Sequence, residues 1–112
     1  MTRYLISFDD GAMTFPEEDL PEVDSAAHAV LAAAKAAGVW VTGAGVDGHE
    51  ASLVDVDGTV TDIPYPGTKK HLGGFAIVDV ASHDDALVWA ARFAAACRCG
   101  QEVRALMDDP EV

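Results

Sequence analysis

Positive charge is scarce in this chain: seven Lys and Arg stand against nineteen Asp and Glu in 112 residues, a formal net charge of −12. Such a surface repels phosphate backbones, so nucleic acid is excluded as an expected partner. Long apolar runs are also missing. The longest, residues 26–41, is interrupted by His28, Lys35 and Gly38, and it falls short of the ~20 apolar residues a membrane span needs. The opening Met1-Thr2-Arg3-Tyr4 has no basic region followed by an apolar run and a small-residue cleavage site, so a cytoplasmic protein with no membrane partner is expected. Only two cysteines occur, Cys97 and Cys99. Without a second Cys/His pair at zinc spacing, their expected role is structural or incidental. Nucleotide-binding glycine patterns and a Gly-x-Ser-x-Gly elbow are absent too, and Gly43-Ala44-Gly45 precedes a strand pattern instead of opening a helix. No His-x-x-x-His spacing exists, so neither a metal nor a cofactor is expected.

What is present is an ordinary globular balance, 50% hydrophobic and 23% charged, in a length that suits a single domain over residues 1–112. Residues 3–8 (RYLISF) close on Asp9-Asp10-Gly11 and read as a strand ending in a turn. An acidic, proline-bearing loop over residues 12–21 follows. Val23, Ala27, Val30, Leu31 and Ala34 then recur at helical steps from Pro21 until Gly38. Residues 39–44, 51–56 and 59–61 read as sequential antiparallel strands, the last two joined at Asp57-Gly58. Residues 74–80 form a further apolar strand. Ser82 with Asp85 resembles a capping box, opening a second helix with Ala86, Ala90, Phe93 and Cys97 on its stripe, widened by Leu87 and Ala94, and Gly100 as its stop. Residues 101–107 supply the last strand.

The order condenses to βαββαβ, an α+β fold of ferredoxin-like type with an antiparallel sheet and both helices on one face. Leu5, Val41, Leu53, Phe75, Ile77 and Val103 exceed what one helix layer hides. A second copy of the chain is the expected cover for the other face, giving a homodimer.

Among the histidines, His28 carries the most chemistry. It lies mid-helix beside the apolar stripe, with Asp24 one turn earlier on the same face. A carboxylate in that position orients an imidazole for general acid or base work. The same spacing also describes an ordinary exposed helix pair. His71 follows Thr68-Lys69-Lys70 in the approach to a strand, a loop position where binding residues sit. Lys69 and Lys70 make a local anion site conceivable in an otherwise acidic chain, and a solvated turn is the plainer reading. His49 falls in a polar turn and His83 at a helix start.

Residues 62–75, DIPYPGTKKHLGGF, resemble the YCII-related family, in particular the branch named for its Asp-Gly-Pro-Phe motif. Asp62, Pro64, Thr68, Lys69, Leu72, Gly73, Gly74 and Phe75 match, Tyr65 replaces an aromatic, and Ile63 and Gly67 stand where the family has Gly and commonly Glu. The opening strand, the helix around Ala27-His28, residues 84–91 and the closing residues 100–105 resemble the family as well. The resemblance implies a dimeric α+β barrel with a pocket between sheet and helix near the dimer interface. It further implies that His28 and Asp62 are catalytic and that Thr68 and Lys69 are its polar pair.

Two functions follow as expectations. The first is a lyase or isomerase acting on a small organic molecule, anionic or hydroxylated. In it His28 moves a proton, Asp62 or Asp24 orients the ring, and Thr68 and Lys69 hold the ligand, with His71 beside them. The second is a noncatalytic ligand-binding or regulatory module using the same pocket.

Overall fold

In a computed structural model the described residues are 1–47, 51–63 and 72–112. The alternation in the first strand, β1 (Thr2–Asp9), drives Tyr4 and Ile6 to one face, where both are buried. The first helix, α1 (Leu20–Ala36), starts at a proline in its first turn, where the missing amide hydrogen costs nothing. Strand β2 (Trp40–Gly45), the hairpin β3 (Ala51–Val54) and β4 (Val60–Ile63), and strand β5 (Leu72–Val80) follow. Helix α2 (His83–Cys97) begins as its sequence predicts, with the Asp85 backbone N–H donating to the Ser82 hydroxyl at 3.1 Å. Strand β6 (Glu102–Ala105) ends the fold.

Four strands form an antiparallel sheet in the order β2-β5-β1-β6. Strand β1 thus lies between β5 and the last strand, β6, and β5 sits between β1 and β2, as the ferredoxin-like arrangement requires. The register pairs Tyr4 with Val78 and Ile6 with Ala76. These side chains, together with Val80, Ala86, Ala90 and Phe93, make the core under the helices.

Two of the six apolar strand positions do not add to the outer face of this sheet. Val103 pairs with Ile6 and packs against the core under the helices. Leu53 lies on the hairpin β3–β4, which pairs within itself and with no other strand among the described residues. Leu5, Phe75 and Ile77 do occupy the face away from the helices, alternating with the core positions of β1 and β5. Leu87, expected on the buried stripe of α2, is exposed.

The second helix stops before Gly100. Arg98 takes the left-handed conformation at φ 57° and caps it, a role glycine usually fills. Its guanidinium donates to Asp19 Oδ2 at 2.8 Å and Glu22 Oε2 at 3.4 Å, and lies 6.0 Å from the Phe15 ring centre. Contacts to the first turn of α1 and the segment before it thus accompany the strained turn.

Candidate functional site

Helix α1 stands off from the sheet over the C-terminal half of β1, leaving a cavity of about 770 Å³ between the two. That volume lies within the range of small-molecule sites, ~300–1,000 Å³. Phe8 and Trp40 from the sheet, Leu31 from α1 and Phe93 from α2 supply apolar walls. Trp40 and Phe93 are tilted against each other with ring centres 6.3 Å apart, a separation typical of favourable aromatic pairs.

Missing side chains shape the sheet side of the cavity. A Cβ on Gly74 would meet the Phe8 ring at 2.7 Å, and one on Gly43 would meet the Phe75 carbonyl oxygen and the Trp40 ring at 2.6 Å. A Cβ on Gly73 would meet the backbone of Asp10 at 2.9 Å. The Gly73-Gly74 pair therefore lets Phe8 and the turn after β1 lie directly on β5. Its requirement is for space and not for a left-handed backbone, since neither glycine has a positive φ.

His28 lines this cavity with Asp24. Its Nδ1 lies 2.7 Å from the Asp24 carbonyl oxygen and 3.5 Å from the Asp24 carboxylate. A carbonyl only accepts, so Nδ1 carries the hydrogen and donates it. Nε2 is left as the nitrogen that takes up or gives away a proton. The ring sits at the cavity mouth, its side chain 66% exposed.

Asp62 lies elsewhere, on β4, where its carboxylate accepts the Ser52 hydroxyl across the hairpin at 3.4 Å. It is not among the cavity's described lining residues. Ile63 ends β4 in extended backbone, a conformation that suits a β-branched residue. Thr68, Lys69 and His71, with Lys70 and His49, lie outside the described residues. His83 packs near the Tyr4 ring, with centres 5.9 Å apart. Among the described residues no group of three His, Cys, Asp or Glu is placed to hold a metal ion.

Sequence reasoning missed Asp10, which lines the cavity from the end of β1. Its position in Asp9-Asp10-Gly11 read only as a turn signal. Gly11 does adopt φ 82°, so the turn is real, and it leaves Asp10 on the cavity wall. Trp40 and Phe93 were legible as strand and helix residues, but not as facing walls. Cys97 also lines the cavity, and burial, reinforced by neighbouring Cys99, pushes its thiol pKa up.

An antiparallel sheet with one helix layer defines an α+β domain of ferredoxin-like type, with a cavity between α1 and the sheet that His28 and Asp24 help to line. The family model of the YCII-related domain matches residues 3–108, and the chain belongs to that family. No curated protein matches the chain. No helix among the described residues is long and apolar enough to cross a membrane.

Proposed function

We propose that the chain is a small-molecule lyase or isomerase of the Asp-Gly-Pro-Phe branch, in which His28 Nε2 moves a proton on a ligand held between α1 and the sheet. The hydrogen bond from His28 Nδ1 to the Asp24 carbonyl oxygen carries this reading. It fixes the tautomer and leaves the second nitrogen basic beside a cavity with apolar walls. Asp24 takes the orienting role, because it shares a helix turn with His28 whereas Asp62 belongs to the hairpin. Thr68, Lys69 and His71, which precede β5 in the sequence, are further candidate ligand contacts in this reading.

The working unit is a homodimer in the cytoplasm. The outer sheet face carries Leu5, Phe75 and Ile77, and the hairpin exposes Leu53, Val54 and Val60 at 53%, 63% and 61%. A two-stranded hairpin is marginal by itself in water, so a second copy covering these surfaces accounts for both. Closed twofold pairing is the commonest way to do so.

The exposure of His28 favours a second reading, a binding module without turnover, since a base open to water lacks the shielding that strengthens electrostatic catalysis. Proton abstraction separates the two. Small carbonyl-bearing probes, some amine-bearing and some acidic, are incubated with the protein in D2O and followed by NMR. Catalysis predicts exchange of a carbon-bound hydrogen that disappears in His28→Gln; cavity binding without any exchange supports the module.

A further inference from the structure

The charged side chains among the cavity's described lining residues are both acidic. Asp10 reaches it from the end of β1 and Asp24 from α1, and no Lys or Arg is among its described lining residues. Asp10 is the unusual one. Its Oδ2 is closed off from solvent and has no hydrogen-bond partner among the described residues. A carboxylate oxygen in that state has lost its water without gaining a donor, which is costly unless a positive group lies nearby. Nor is the position a loose side chain's accident, because the absence of a Cβ on Gly73 lets the Asp10 backbone press against β5. The apolar walls opposite, Phe8, Leu31, Trp40 and Phe93, offer a body-sized surface with no charge of their own.

We propose that the cavity selects a ligand with a protonated amine on an apolar, ring-sized body, with the Asp10 carboxylate as its counter-charge. This rests on the cavity being the ligand site, and it replaces the expectation of an anionic ligand held by Lys69 with a cationic one held by Asp10. Charge is shared between the two carboxylate oxygens, so an ammonium meeting the accessible side neutralises the shielded one as well. Aromatic rings beside the cation add to its hold. The net charge of −12 works in the same direction by concentrating cations around the chain.

Three probes of matched shape test the proposal: 2-phenylethylamine, 3-phenylpropionate and 3-phenylpropanol. Binding to the full chain is followed through the Trp40 indole resonance in proton–nitrogen spectra. The amine is expected to bind on the order of tenfold or more tighter than the acid, with the preference falling as salt is added. In Asp10→Asn the preference of amine over alcohol is expected to collapse. If that variant does not fold, the amine-to-acid ratio in the unmodified protein decides. An acid that binds as tightly as the amine, or an amine preference that survives Asp10→Asn, overturns the cationic assignment and leaves the cavity reading standing. No shift of Trp40 with any probe removes both.

Discussion

His28 and Asp24 stand one turn apart on α1, and the imidazole Nδ1 donates to the Asp24 carbonyl oxygen at 2.7 Å while the Asp24 carboxylate waits at 3.5 Å. The backbone therefore does the closer work. Both side chains are about two-thirds exposed, so the ion pair itself adds at most about 0.5 kcal/mol. Asp24→Asn keeps the carbonyl contact and is expected to change stability by less than about 0.5 kcal/mol. His28→Gln is expected to be equally mild for folding, yet to lower any proton-exchange activity by about 100-fold or more. Urea unfolding beside deuterium-exchange rates checks both halves.

Glycine substitutions around the cavity should divide by the space available. Gly43→Ala places a methyl 2.6 Å from a backbone oxygen that cannot rotate away, whereas nothing lies within 4 Å of a Cβ on Gly45. The first is expected to cost about 1–3 kcal/mol through overpacking, and the second less than about 0.5 kcal/mol. Chemical denaturation of the two variants provides the comparison. Equal midpoints would mean that β2 and β5 do not approach each other as described.

The left-handed cap at Arg98 leads to an ordering of variants. Arg98→Gly relieves the strain at φ 57° but loses the contacts to Asp19 and Glu22. Arg98→Ala loses the same contacts and keeps the strain. Glycine is expected to exceed alanine in stability by about 1 kcal/mol, a gap that thermal unfolding would read as several degrees in a domain of this size. Alanine matching glycine would show that the turn carries no strain.

The two thiols set an alkaline limit. Burial raises the pKa of Cys97 and, with partial opposition from the Gln101 side chain, that of Cys99. Both thiols ionise more readily in the unfolded chain. Their contribution to stability is thus complete below the ordinary thiol pKa of about 8.5 and is lost as pH rises through the raised folded values. Urea midpoints at about pH 7 and pH 10 should differ less in Cys97→Ala than in the unmodified chain. Thiol-reactive dyes should also label the folded protein slowly at neutral pH and faster above it.

Assembly is tested by mass. Light scattering should give twice the 11.7 kDa of one chain at micromolar concentration, and Ile77→Glu on the outer sheet face should shift it to a single chain. A monomer in the unmodified protein would remove the dimer.

Local pattern alone located the regular elements to within a few residues, since strand alternation, the proline at the start of α1 and the Ser82 cap act through near neighbours in the chain. It placed β6 among the strands but left the face of Val103 open, because register is decided by the partner strand. It also read Gly100 as the stop of α2, where Arg98 turns instead, with Asp19 and Glu22 as its distant partners.

The candidate site divides the same way. His28 with Asp24 was visible in the sequence because both lie on one helix, where a spacing of four residues fixes proximity. Asp10 and the facing Trp40 and Phe93 were not, since their meeting depends on how far α1 stands from the sheet and on three glycines that let strands and loop close together. The amino-acid order by itself determined the elements, the strongly acidic surface and the histidine with its partner. Only the tertiary structure decided which carboxylates share a cavity with that histidine, because packing across the sheet brings together residues whose separation along the chain carries no distance information.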